Sequence, residues 1–545
     1  MHADLIDWLI IAAVLAGTLL YGVFFASARV RSDTEFYLGH RTTHWLLIGF
    51  SVAATYFSAI GFLGGTAWGY KDGLAVVLIS VNYPLVIVVV NAIFLPFFFN
   101  SGCASIFEYQ ERRFGPIART TVATIFLLTQ LLQSGAIVFA AASVCEFMTG
   151  IDLMYSVALM TAIVIAYTVS GGTTAVIKTD VVQWVIMFGG TATILATLLW
   201  FVASSAPAGI AATNPIIDFL RAQQHTNAMV TSLSPSVVAT IWTGIFGMGV
   251  YHVAVYGLNQ MIVQRALAAK TLTDAKKSYL FAGYTVGACA ALFPIIGTLI
   301  FGYYRGAAFV KPNTIILQYA QDTHIPGLVG ITTVAVIAAA MSTMSSSVNS
   351  LATISTIDFY QRFLARNRSP DHYLKVSRLS TGLWALLIVV PSFLYTRTTG
   401  TSILETLSEF GSYFVGAKLS MFLLGFYSKH TSERGLLAGV IVGLIAIVLI
   451  ETNTDIAWPW FSLIGVTVTA PVCWLASIAI DGRRSEHSRH SIPGQLAEFR
   501  ANNRPLQVDG WYVVPGKVDR ASYGLLLFFA LTVLGLAVAD WYLNN

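Results

Sequence analysis

The stretch AVIAAAMSTMSSSVNSLATIS, Ala335–Ser355, sets hydroxyls at Ser342, Thr343, Ser345, Ser346, Ser347, Ser350 and Thr353 in an apolar run with no charge. A hydroxyl in hydrocarbon costs free energy unless it is bonded. At roughly 100° per residue, Ala339, Ser342, Thr343, Ser346 and Ser350 share one helical face, with Ser345 at its flank. Two readings fit that face. Small residues let membrane helices approach closely, their hydroxyls bonding back to the preceding turn. A file of neutral oxygens also suits a hard monovalent cation such as Na⁺, by the oxygen-ligand logic that governs Ca²⁺ and Mg²⁺.

The rest of the chain has the same apolar character. Of 545 residues, 56% are hydrophobic and 10% charged, against about 25% charged in a soluble domain. Apolar segments long enough to cross a bilayer lie near 5–27, 45–70, 74–99, 119–148, 153–170, 175–203, 236–256, 277–304, 327–360, 375–397, 402–428, 434–451, 456–480 and 521–541. The expectation is an all-α polytopic membrane protein of about fourteen transmembrane helices, a single membrane domain over 1–545. Odd-numbered loops hold most of the Lys and Arg, among them Arg29, Arg31, Arg41, Arg112, Arg113, Arg119, Lys178, Arg265, Lys276, Arg362, Lys429 and Arg483 through Arg520. Even loops hold Lys71, Arg221, Arg305, Lys311 and Arg397. That asymmetry puts odd loops in the cytoplasm and both termini outside. The polar run Asp481–Arg520 reads as a cytoplasmic loop.

The opening MHADLIDWLIIAAVLAG has acids where a signal peptide needs bases, so it reads as an uncleaved first helix. Cys103, Cys145, Cys289 and Cys473 show no metal spacing and read as small buried residues. The outside loops carry no Asn-x-Ser/Thr, which favours a bacterial inner membrane. No Walker A, HExxH or GxSxG motif stands on a cytoplasmic loop, so neither ATP hydrolysis nor an enzyme is expected, and the loop charges report topology rather than nucleic-acid binding.

Transport needs places at membrane depth where helix regularity fails. FSVAATYFSAIGFLGGTAWGY, Phe50–Tyr70, mixes Thr55, Tyr56 and Ser58 with Gly61, Gly64 and Gly65, and either unwinds to present carbonyls or packs as a small-residue helix. In GIFGMGVYHVAVYGLNQ glycines precede Tyr251 and His252, and an intramembrane His is either functional or bonded to a carbonyl. Asp180 opens the sixth segment as a cap or as a counter-charge for a cation. Lys418 lies inside the eleventh segment, facing a cavity or a partner; Glu405 and Glu409 read as exposed at its outer mouth.

Four motifs, in order, carry a resemblance over nearly the whole chain: IFEYQERRFG (Ile106–Gly115), SGGTTAVIKTDVVQWVIMFGG (Ser170–Gly190), GLNQMIVQRALAAKTLTDAKK (Gly257–Lys277) and MSTMSSSVNSLATISTIDFY (Met341–Tyr360). Together they resemble the sodium/solute symporter family of sodium-coupled carriers of sugars, proline, sialic acid, pantothenate, iodide and monocarboxylates. The resemblance implies a LeuT-like fold of two inverted five-helix repeats, here 45–203 and 236–428, after an extra helix at 5–27 and before three more at 434–541. The first helix of each repeat, the second and seventh segments, is then broken at mid-membrane. It implies a Na⁺ site from the carbonyls of Ala54, Phe57 and Ala339 and the hydroxyls of Ser342 and Thr343. Asp180, Ser345 and Ser346 match a second Na⁺ site of some members.

On the solute side the chain is similar to the sugar carriers in layout only. Their acidic sugar ligand is replaced by Ser80, with Tyr83 three residues on. Their Asn positions become Tyr56 and His252, and the floor Tyr becomes Val255. The third core helix offers Gln130, Gln133 and Ser134 where sialic-acid carriers use an Arg. These departures imply a small, partly apolar solute, an anion held by broken-helix N–H groups, Thr55, Ser58, Gln133 and a protonated His252. The expected function is Na⁺-coupled symport of a monocarboxylate or similar small organic anion by alternating access. An amino acid or vitamin, or proton coupling, is the alternative. The expected partners are the solute, Na⁺ and the bilayer, with no nucleic acid.

Overall fold

Without water to bond to, a backbone in hydrocarbon must pair internally, and the apolar runs accordingly fold as helices. The structure is a computed structural model that describes residues 4–22, 42–103, 105–205, 214–393, 395, 402–483 and 488–545, without the side chains of residue 19 and of 163–172. Arg29, Arg31, Arg41 and Arg397 lie outside the described residues. Among the described residues, nine helices are long and apolar enough to cross a membrane, and Leu5–Thr18, Trp45–Tyr56, Leu153–Ala162 and Thr243–Leu258 are shorter apolar helices.

The hydroxyl-rich stretch lies in the helix Leu328–Ile354, here the serine helix, in which every residue from Thr332 to Ile354 is buried. Such a helix is covered on all sides, and it packs against Leu5–Leu20, Pro116–Thr149 and Leu153–Ser204. Its first turn is tied by Asp7, whose carboxylate accepts the Gly330 N–H at 2.7 Å. A Cβ on Gly330 would lie 2.7 Å from the Asp7 backbone, so this crossing needs glycine.

The second segment is two helices, Trp45–Tyr56 and Ala59–Asp72, here the split helix. The seventh is a π-helix, Thr243–Met248, running into Gly249–Leu258, and its break falls later than the sequence suggests, at Asn259. Asn259 is extended and its side chain accepts the Met261 N–H, capping the helix Gln260–Leu267. The glycines ahead of His252 stay helical and serve close approach: a Cβ on Gly244 would sit 2.0 Å from the Leu78 carbonyl oxygen.

Further readings need correction. The fifth and sixth segments form one 52-residue helix, Leu153–Ser204. A glycine pair weakens a helix by about 1 kcal/mol per residue relative to alanine but removes no N–H or carbonyl, so hydrogen bonding continues through it. The Asp481–Arg520 loop contains the helix Ile492–Ala501 and a hairpin pairing Gln507–Val508 with Trp511–Tyr512. This segment is pinned to the bundle by the Gly516 N–H on the Ala92 carbonyl (2.8 Å) and by Asn100 on the Val513 carbonyl (2.8 Å). Glu405 is half-buried and pairs with Lys71 at 3.5 Å, and Glu409 is half-buried rather than exposed.

Contacts between segment ends sort by loop number. On the odd-loop side Arg119 meets Asp358 (2.5 Å), Arg362 meets Glu111 (2.9 Å), Lys276 meets Asp519 (2.7 Å) and Glu433 accepts the Ile117 N–H (2.7 Å). On the even-loop side Lys311 meets Glu146 (3.4 Å), Arg221 donates to the Leu543 carbonyl (2.6 Å) and Asp540 accepts the Ala228 N–H (2.8 Å). Arg113, Arg119, Arg265 and Lys276, counted from sequence as loop charges, are buried and bonded.

Candidate functional site

The break in the split helix exposes two carbonyls in particular. Phe57 leaves the helix at φ −79°, ψ 90°. In an unbroken helix the Ala54 carbonyl would accept the Ser58 N–H, and the Phe57 carbonyl the Gly61 N–H. Here the Ser58 N–H turns to the Tyr56 carbonyl (3.1 Å) and the Gly61 N–H to the Ser58 hydroxyl (3.4 Å). The serine helix passes at this point. The Thr343 hydroxyl donates to the Ala339 carbonyl (3.1 Å) and approaches the Thr55 carbonyl across the gap (3.5 Å). Ala54, Phe57, Ala339, Ser342 and Thr343 are all buried. The Thr343 hydroxyl facing the Thr55 carbonyl, beside the freed carbonyls of Ala54 and Phe57, gathers neutral oxygen donors at a buried crossing, the chemistry a hard monovalent cation requires.

Beside them lies a charged cluster. Asp180 is fully buried and accepts from Ser342 (2.7 Å), from Ser51 (2.5 Å) and from Arg265 (3.2 Å). Arg265 also donates to Ser51 (2.7 Å), to the Met261 carbonyl and to the Ser346 hydroxyl. The Ser345 and Ser346 hydroxyls donate back to the Ser342 carbonyl at 2.9 and 2.7 Å. Of the residues matched to a second ion, Asp180 therefore reaches Ser342 directly and Ser346 through Arg265, while Ser345 points to its own helix. Arg265 is the member the sequence reading missed. The available signal was that a carboxylate at membrane depth calls for a named partner, and that QMIVQRAL carries one charge in an otherwise uncharged helix.

The residues assigned to the solute, Thr55, Tyr56, Ser58, Ser80, Tyr83, Gln133, His252 and Val255, all line one cavity between the split helix, Pro116–Thr149, Gly249–Leu258 and Ile403–Tyr427. Its wall contains Lys418 and, among the described residues, no Asp or Glu. Three of its hydroxyls are engaged locally: Thr55 donates to the Ser51 carbonyl (2.7 Å), Ser80 to the Val77 carbonyl (3.1 Å), and Ser58 caps the second half of the split helix.

His252 is held from both ring nitrogens. The Asn82 amide donates to the Ile79 and Gly244 carbonyls (3.0 and 2.9 Å), which turns its oxygen toward His252 Nδ1 at 2.8 Å. That oxygen only accepts, so Nδ1 carries the proton. Nε2 faces the Tyr56 and Tyr83 hydroxyls, each at 3.2 Å, and a neutral ring accepts there. The arrangement satisfies a neutral imidazole with its proton on Nδ1, and the two hydroxyls at Nε2 both donate and accept. Asn82, absent from the sequence reading, sets this tautomer.

Below the cavity, aromatic rings fill the odd-loop side of the bundle. Phe97 and Phe426 lie 4.2 Å apart between ring centroids, Phe98 and Phe422 5.8 Å, and Tyr109 stacks on Phe422 at 6.0 Å.

Residues 36–443 match the model of the sodium:solute symporter family. Sodium-coupled monocarboxylate transporter 2 of Bos taurus is 25% identical over 524 residues, covering 93% of this chain and 80% of its own length. The sodium/sialic acid symporter NanT of Aliivibrio fischeri is 24% identical over 477 residues, covering 87% of this chain and 93% of its own. Among solved structures, a Na⁺-coupled sialic acid symporter in a substrate-bound outward-open state superposes with a TM-score of 0.78 at 22% identity, covering 89% of this chain and 100% of that one. With the family model spanning most of its length, this chain belongs to the sodium:solute symporter family and is a carrier, not an enzyme.

Proposed function

We propose that the protein carries a small organic anion, a monocarboxylate in the first instance, by alternating access in a bacterial inner membrane. Sodium is the coupling ion of the family. The observation that carries the solute class is the cavity wall: among the described residues, one lysine, no carboxylate, and a cation nest alongside. That field favours an anion and disfavours an amino acid, whose ammonium would find no carboxylate partner. The similarity to a monocarboxylate carrier over 93% of the chain points the same way.

In this reading one Na⁺ binds Ala54, Phe57, Ala339, Ser342 and Thr343 and bridges the split helix to the serine helix. Solute then enters against Tyr56, Tyr83, Gln133, neutral His252 and Val255, the bundle rocks, and ion escape weakens the pocket. The membrane potential contributes about 2.3 kcal/mol per charge per 100 mV. A second Na⁺ near Asp180, Ser345 and Ser346 would take the carboxylate over from Arg265. Both termini outside accords with the sorting of contacts by odd and even loops, the N-terminal Asp7 meeting Gly330 and the C-terminal Leu543 meeting Arg221; the layout proposed with it is two repeats at 45–203 and 236–428, with Leu153–Ser204 as one helix inside the first.

Thermal stabilisation of the purified protein tests the solute class. Lactate and pyruvate are expected to raise the melting temperature in Na⁺ and to leave it unchanged in K⁺. Equal stabilisation in K⁺, or stabilisation by amino acids or vitamins and by no monocarboxylate, contradicts the proposal.

A further inference from the structure

We infer that Lys418 is the counter-charge that holds the solute's carboxylate at the inner end of the cavity, an inference that rests on the anion-carrier reading above. The helix Ile403–Tyr427 presents a stripe at three- and four-residue spacing, Leu404, Leu407, Gly411, Phe414 and Lys418, to the cavity. From Leu404 to Lys418 the stripe descends about 21 Å at 1.5 Å per residue. One turn further on is Phe422 and two turns on is Phe426, both within the aromatic packing that closes the odd-loop side. Lys418 is thus the last polar group on this face before the packed rings.

Lys418 is half-buried, and the buried cations among the described residues are already engaged. Arg265 meets Asp180, Arg119 meets Asp358, Lys276 meets Asp519, and Arg113 donates to the carbonyls of Gly425 and Ser428. Lys418 has no hydrogen bond or ion pair among the described residues, and no carboxylate shares its cavity. An ionisable group at membrane depth without a partner is costly, and such a group marks a ligand pathway with its partner to be named. Here that partner is the solute. The broken-helix N–H groups are a poorer anion site than the sequence suggests, because the Ser58 and Gly61 N–H groups are taken by the Tyr56 carbonyl and the Ser58 hydroxyl. A carboxylate on Lys418 leaves a short apolar tail to lie against Phe414, Val255 and Ile79 higher in the same cavity. This orientation defines the ligand class: one anionic group, an apolar end, and no second charge.

Binding of lactate, with lactamide as its neutral isostere, tests this on purified protein in Na⁺. The wild-type protein should bind lactate and not lactamide. Lys418→Met should weaken lactate at least 30-fold, about 2 kcal/mol at 1.4 kcal/mol per decade, and leave stabilisation by Na⁺ alone intact. Lys418→Arg should stay within a few fold of wild type. If wild type binds no monocarboxylate, the anion-carrier reading falls and this inference with it. If wild type binds lactate and Lys418→Met binds it equally, only the role of Lys418 falls. Should Lys418→Met fail to fold, acylation of Lys418 in the wild-type protein, read by mass spectrometry, decides: lactate with Na⁺ is expected to slow it at least tenfold, and labelling unchanged by lactate overturns the assignment.

Discussion

Thr343→Val is expected to raise the half-saturating Na⁺ concentration roughly ten- to a hundredfold, and Ser342→Ala to do the same. Each removes one oxygen from the proposed nest, and an interaction with a charged group is worth about 1.5–3 kcal/mol, at a factor of ten per 1.4 kcal/mol. The valine keeps the shape of threonine and loses only the hydroxyl that now bridges the Ala339 and Thr55 carbonyls. Thr343→Ser keeps the oxygen and should retain wild-type sodium dependence. The Na⁺ dependence of solute uptake, read beside the melting temperature in K⁺, separates ion binding from folding. Wild-type Na⁺ affinity in both Ser342→Ala and Thr343→Val would remove these oxygens from the site.

The second large effect is on stability. Arg265→Met leaves Asp180 fully buried with Ser51 and Ser342 as donors and no counter-charge. Removing one partner of a buried pair costs about 3–5 kcal/mol, whereas replacing both by apolar residues is often neutral. Arg265→Met should therefore unfold at markedly lower temperature, and Arg265→Met/Asp180→Leu should recover most of the loss. The double variant also tests the second ion. If Asp180 ligates Na⁺ during the cycle, the recovered protein moves one sodium fewer per solute than wild type. An unchanged ratio confines Asp180 and Arg265 to structure, and a double variant no more stable than Arg265→Met alone contradicts the pair itself.

The membrane class and the oxygen-rich face of the serine helix were legible because both rest on local composition and on the helical period. The glycine- and hydroxyl-rich stretch Phe50–Tyr70 left a break and a packing helix both open, and the family resemblance chose the break; its place at Phe57 and its exposed carbonyls follow from where the Ser58 and Gly61 N–H groups turn. The residues lining the cavity came from family resemblance rather than from periodicity. The ion pairs were not legible. Arg265 and Asp180 lie 85 residues apart, Arg119 and Asp358 239, and Lys276 and Asp519 243. A count of loop charges reads each of these cations only as a topology signal. Asn82 and His252, 170 residues apart, show the same limit: spacing cannot reveal which amide fixes a tautomer. The order in Asp481–Arg520 was hidden because its partners are far away in sequence: the Gly516 N–H on the Ala92 carbonyl, the Asn100 amide on the Val513 carbonyl and Lys276 on Asp519.

Uptake into proteoliposomes tests sodium coupling most directly. With protein-free vesicles as the blank, labelled lactate should accumulate under an inward Na⁺ gradient, more strongly with the interior negative. It should not accumulate under a proton gradient of equal size in K⁺. Accumulation driven by protons without sodium, or flux indifferent to Na⁺, would contradict the account.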